Sequence, residues 1–218
     1  MVPVVRLSRA ATGEEAAALH DHFDVVPFPR RGRITGYYLK GSPGVVPISA
    51  DDILSHGTPI IDLAALFLRR PFGFVIQANT IVGYAHYSDL NKPMAKVPFF
   101  AAFQLAESAV LERIRNDLTE PTLRALLDRG EFDRLARTRA RVARRNVDVG
   151  WQGILSLRDV LVIAGRNHKT RLTDHDRRLV VEFRNRSAHA TSTLIQREGD
   201  LRDLAKAASM ARRLARSA

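Results

Sequence analysis

Residues 57–90 read GTPIIDLAALFLRRPFGFVIQANTIVGYAHYSDL, and the change of period inside this stretch decides the fold of the first part of the chain. Ile60, Leu63, Ala64 and Phe67 recur at helical spacing, which predicts a short amphipathic helix over 58–70. Two runs rich in β-branched and aromatic residues follow, FGFVIQ at 72–77 and IVGYAHY at 81–87, on either side of an Asn-Thr turn, and these predict a hairpin. With GVVPI just upstream, the order is strand, helix, strand, strand.

The same order occurs earlier. PVVRL at 3–7 precedes a polar-alanine helix, GEEAAALHDHF, and then the strand-like runs DVVPF at 24–28 and RITGYYL at 33–39. A repeat of about 45 residues therefore predicts a duplicated α+β module over residues 1–95. Its second copy ends on Gly83, Tyr84, Ala85, His86, Tyr87, Ser88 and Asp89. This segment resembles the cystathionine-beta-synthase (CBS) type of domain, whose last strand closes on glycine, two apolar positions, threonine or serine, two variable positions and aspartate. The resemblance implies a tandem CBS module sensing an adenine nucleotide (AMP, ADP or ATP) as regulatory ligand. In that role Asp89 would accept the ribose hydroxyls, while His86 and Thr58 would reach phosphate. His86 departs from the usual hydroxyl residue, and Ser42 stands where the first copy should carry aspartate, so at most one nucleotide site is expected.

Beyond Pro98 the period is helical throughout, predicting an all-α domain over 96–218. Phe100, Phe103, Val110 and Ile114 fall on one broad stripe. Five further helices are expected around TLRALLDRG, FDRLARTRARVARR, WQGILSLRDVLVIAG, LTDHDRRLVVEFRNRSAHA and GDLRDLAKAASMARRLARSA. Thr173 reads as an N-cap, with Asp174 and Asp176 suited to the helix dipole. Four or five of these helices packing as an antiparallel bundle complete an α+β chain.

Within the fourth of those segments, EFRNRSAHA at 182–190 crowds polar chemistry at a helix end. On a wheel of about 100° per residue, Leu179, Val180, Phe183 and Ser187 share the core face. Asn185 and His189 stack on the opposite side beside Arg178, with Arg184 on the flank. Late in a basic helical bundle and followed by one amphipathic helix, the Arg184–Asn185 and His189 spacing resembles the higher eukaryote and prokaryote nucleotide-binding (HEPN) family. The resemblance implies a metal-independent endoribonuclease with Arg184, Asn185 and His189 as its catalytic residues, RNA as its substrate, no cofactor for catalysis, a homodimer that pairs two motifs, and scope for an antitoxin-like protein partner. The residues suit that work. An imidazole exchanges protons near neutral pH, a guanidinium fits phosphate oxygens as charge builds, and Asn185 can orient the imidazole.

Composition sets limits on these readings. The chain has 34 basic and 23 acidic residues, a formal net charge of +11, and no cysteine. Nearly all the excess lies beyond Lys96, where 24 basic residues face 15 acidic ones. That balance favours a polyanionic partner, and the lack of cysteine excludes disulfides, zinc-thiolate sites and a thiol nucleophile. No signal-type segment is read at the N-terminus and no apolar run is read as approaching the roughly 18 residues of a membrane helix, so a soluble, cytoplasmic protein without membrane contact is expected. The competing reading is a non-catalytic nucleotide-binding sensor or protein-interaction module, with the arginine and histidine structural.

Overall fold

A computed structural model of the chain describes residues 10–145 and 149–216. The strand expected at 3–7 lies outside them. The chain divides into two compact units, Met1–Ala95 and Lys96–Ala218, the first mixed α and β and the second all helical.

In the first unit, α1 (Gly13–Leu19), β1 (Val25–Arg30) and β2 (Arg33–Leu39) are matched by α2 (Ile60–Leu66), β5 (Phe72–Gln77) and β6 (Thr80–His86) at a constant offset of 47 residues. The match extends to detail. Each hairpin closes over two residues, and each carries a bulge at the same step, Phe28/Pro29 and Val75/Ile76. Arg31 and Gly32 take φ of 49° and 78° in the first turn, the left-handed geometry that follows the twist of the flanking strands. β3 (Val45–Pro47) pairs antiparallel with β2, while β4 (Ile53–Ser55) pairs parallel with β5, giving two three-stranded sheets.

The sheets meet through an aromatic core of Val25, Tyr37, Phe72 and Phe74. Tyr37 and Tyr84, equivalent by the offset, both reach it: the Tyr37 ring lies 5.3 Å from Phe72 and 5.5 Å from Phe74, and Tyr84 stacks on Phe72 at 5.9 Å. Such ring pairs add about 0.5–1.5 kcal/mol each beyond the area they bury. Asp52, buried at the edge of this core, is satisfied by Arg70, by the Ser49 N–H at 2.7 Å and by the Tyr37 hydroxyl at 3.5 Å.

Among the described residues the second unit has six α-helices: α3 (Pro93–Ile114), which starts at the boundary, α4 (Glu120–Leu126), α5 (Arg129–Ala143), α6 (Leu157–Arg166), α7 (Asp174–Ala188) and α8 (Glu198–Arg216). The core face of α3 is Phe99, Phe103, Ala106, Val110 and Ile114. Phe99 therefore takes the place read for Phe100, because α3 carries apolar side chains on its exposed side too, among them Val97 and Leu105, and periodicity alone does not choose the face. On α8 the residues at helical spacing, Leu201, Leu204, Ala208, Ala211 and Leu214, are buried. Trp151 packs on Phe132 at 5.9 Å under the Arg139 guanidinium.

The absence of an apolar run of membrane length is corrected. Pro93–Asp117 holds an 18-residue stretch with a mean hydropathy of 1.2, long and apolar enough to cross a membrane by length and composition alone. The polar residues Lys96, Gln104 and Glu107 interrupt the run singly, so its average stays apolar. The same helix buries its Phe99 to Ile114 face in the core of the unit, and a core helix passes this test too.

Candidate functional site

Helix α7 starts where the sequence places it. Thr173 accepts from the Asp176 N–H at 3.1 Å, Asp176 accepts from the Thr173 N–H at 3.3 Å, and this reciprocal cap fixes the helix entry. Lys206 of α8 lies 2.7 Å from the Asp176 carboxylate, and with the Thr173 contacts it lowers the Asp176 pKa to about 2. Leu179, Val180, Phe183 and Ser187 are buried, as the wheel requires. Everything downstream on α7 is oriented by that face.

Arg184 leaves the flank toward α3. Its Nη2 lies 3.8 Å from Glu107 Oε2, its guanidinium sits 5.8 Å over the Phe100 ring, and its Nη1 donates to Asn185 Oδ1 at 3.3 Å. With the Gln104 amide turned so that its oxygen faces Arg184, that oxygen accepts from Nη2 at 3.3 Å and the amide nitrogen donates to Glu107 at 3.2 Å. Burial pushes the Glu107 carboxyl up from its ordinary pKa, with Arg184 opposing the rise. The Arg184 Nε is buried and has no hydrogen-bond partner among the described residues. Asn185 is exposed.

His189 departs from its expected place. α7 stops at Ala188, and His189 is the capping residue in extended backbone, φ −106° and ψ 124°, so it does not stack one turn beyond Asn185. The cause is Lys96, which is 2% exposed. Its Nζ donates to the carbonyl oxygens of His189 at 3.1 Å and Ala190 at 2.8 Å, and also to that of Ser192. Three carbonyls converging on one ammonium turn the chain away from the helix axis, and a cation at a helix C-terminus is favoured by the dipole as well. Arg186 holds the returning chain through Leu194 O at 3.0 Å and the buried Asp200 at 2.9 Å. The His189 side chain is exposed, and among the described residues no hydrogen bond or ion pair holds its ring.

The structure thus joins Arg184 to Asn185 and leaves His189 unbonded at the same helix end. Lys96, Gln104 and Glu107, which set this geometry, were not singled out in the sequence. A lysine in an otherwise apolar helix was the available signal, but its partners lie more than 90 residues away.

In the first unit the three nucleotide-site residues separate. Thr58 lines a cavity of about 510 Å³ with Ser55, Asp51, Arg69, Arg70 and Phe72. His86 and Asp89 do not line it. They close a cap on each other's segment: Asp89 accepts from the His86 N–H at 2.8 Å and lies 2.6 Å from Lys92, and His86 Nδ1 meets Ser88 Oγ at 2.8 Å. Burial lowers the His86 pKa, against the pull of Asp24 and Asp89. Compared with family models, with curated proteins and with solved structures, the chain matches none.

Proposed function

We propose that the chain is a metal-independent endoribonuclease, a HEPN-like helical unit joined to a tandem CBS-like module that senses adenine nucleotides. One observation supports it above the rest: at a single helix end, Arg184 offers a buried Nε with no acceptor while His189 offers an exposed ring with no bond. RNA supplies its own nucleophile. His189 takes the proton of the 2′-hydroxyl, the 2′-oxygen bonds to phosphorus, the bond from phosphorus to the 5′-oxygen breaks, and that oxygen receives a proton. The products are a 2′,3′-cyclic phosphate and a 5′-hydroxyl. Arg184 exchanges its long contact with Glu107 for the phosphate oxygens, where charge-assisted donors act as charge develops. The second proton transfer needs a second imidazole, which a homodimer provides.

The test is cleavage of structured and unstructured RNA in EDTA by wild type, Arg184→Ala and His189→Ala, with and without ATP or AMP. Loss of at least about 10²-fold in both variants, with folding preserved and cyclic-phosphate ends from the wild type, supports the reading. Equal cleavage by all three proteins overturns it. A second reading, a non-catalytic nucleotide sensor, draws on the Thr58 cavity in the duplicated unit. It predicts calorimetric binding of AMP or ATP that Thr58→Val weakens, in a protein that cuts no RNA.

A further inference from the structure

A groove between α6 and α7 was not part of the sequence reading. It encloses about 750 Å³ and is lined by Arg158, Val162 and Arg166 of α6 and by Arg178, Val181 and Glu182 of α7. The α6 residues recur every fourth position, so the groove runs along the helices. From Arg158 to Arg166 it extends about 12 Å. The Arg177 side chain crosses to α6 at Gly165, where an added Cβ would lie 2.6 Å from its Nη1.

Its charges do not cancel. Each carboxylate already has an arginine: Glu131 pairs with Arg166 at 2.5 Å, Asp174 with Arg177, and Glu182 with Arg186 at 2.5 Å. Arg158 and Arg178 are exposed, and neither has an acidic or hydrogen-bonding partner among the described residues. Two uncommitted guanidiniums over an apolar floor of Val162 and Val181 suit successive phosphates of a strand whose sugars and bases need apolar contact. On the α7 side the groove residues Arg178, Val181 and Glu182 lead at helical spacing to Asn185, one turn on.

We propose that this groove seats the phosphate backbone of single-stranded RNA and delivers it along α7 toward Asn185. The inference rests on the ribonuclease reading, and its test separates the two. Fluorescence anisotropy of a labelled single-stranded RNA is followed against salt for wild type, for Arg158→Gln/Arg178→Gln and for His189→Ala, with cleavage scored on the same samples and pyrophosphate as competitor. Loss of two phosphate contacts reduces the slope of log K against log salt by about 1.4, so the double variant is expected to bind at least tenfold more weakly at low salt with a flatter dependence, while His189→Ala binds as wild type does. Binding and slope unchanged in the double variant overturn the groove even if RNA is cut. Groove-dependent binding without cleavage leaves it standing and removes the ribonuclease. If pyrophosphate displaces RNA at micromolar concentration, or if no RNA binds, the strand-binding role is refuted.

Discussion

Replacing Lys96 by methionine keeps the length of the side chain and removes the ammonium. Three charge-assisted hydrogen bonds disappear, to His189, Ala190 and Ser192. Each such bond contributes about 1.5–3 kcal/mol. Against that sum stands the desolvation of a buried cation, several kcal/mol, which the variant no longer bears. The carbonyls of the exposed His189 and Ala190 can also turn to water. The balance is a loss of about 2–4 kcal/mol, or roughly 6–12 °C in Tm for a domain of this size. Trp151, the sole tryptophan, belongs to the second unit and packs in its core, so selective tryptophan fluorescence during urea unfolding reads the effect without interference from the tyrosines of the first unit. Hydrogen exchange should show the amides of residues 190–195 losing protection first. A Lys96→Met protein within about 0.5 kcal/mol of wild type, with unchanged exchange in that segment, would refute the claim that this lysine ends α7.

Asp200→Ala leaves Arg186 and Arg197 without their buried acceptor and should cost about 3 kcal/mol, measured by the same tryptophan signal. Phe74→Ala, at 0% exposure in the centre of the aromatic core, should destabilise the first unit by about 3–5 kcal/mol, seen in tyrosine emission and near-ultraviolet circular dichroism. Asp176 has a folded pKa of about 2 against an ordinary 3.8, so the stability it contributes is present above 3.8 and is lost as pH falls toward 2; Asp176→Asn should flatten that limb of an acid unfolding curve. His86 is shifted the other way from a partnered histidine, below 6.5. Its contribution is therefore complete above pH 6.5 and declines on acidification, and His86→Asn should remove the dependence while keeping a capping side chain.

Much of the first unit was legible because its signals are local. Alternating aromatic and β-branched residues around the 31–32 and 78–79 turns mark the hairpins, and the duplication supplies each one twice. The start of α7 was legible for the same reason, since a threonine and an aspartate three residues on satisfy one another without help from elsewhere. Its end was not. The wheel carried the helix through His189, whereas the observed stop depends on an ammonium supplied from the start of α3. The exchange of Phe100 for Phe99 has a related origin: only the neighbours of α3, not its own period, choose which side is inside. The motif located Asp89 and His86 but not their commitment to each other, which is a matter of rotamers rather than order.

The 47-residue correspondence carries a consequence for stoichiometry. Backbone geometry is copied, yet the positions equivalent to Thr58, Arg70, His86 and Asp89 are Ala11, Phe23, Leu39 and Ser42. One half of the pair carries four polar side chains at these positions, and the other keeps only Ser42. A ligand of the first unit would therefore fill one half only, saturating at a single equivalent per chain, and its load would fall unevenly on two matching helix-and-hairpin frames.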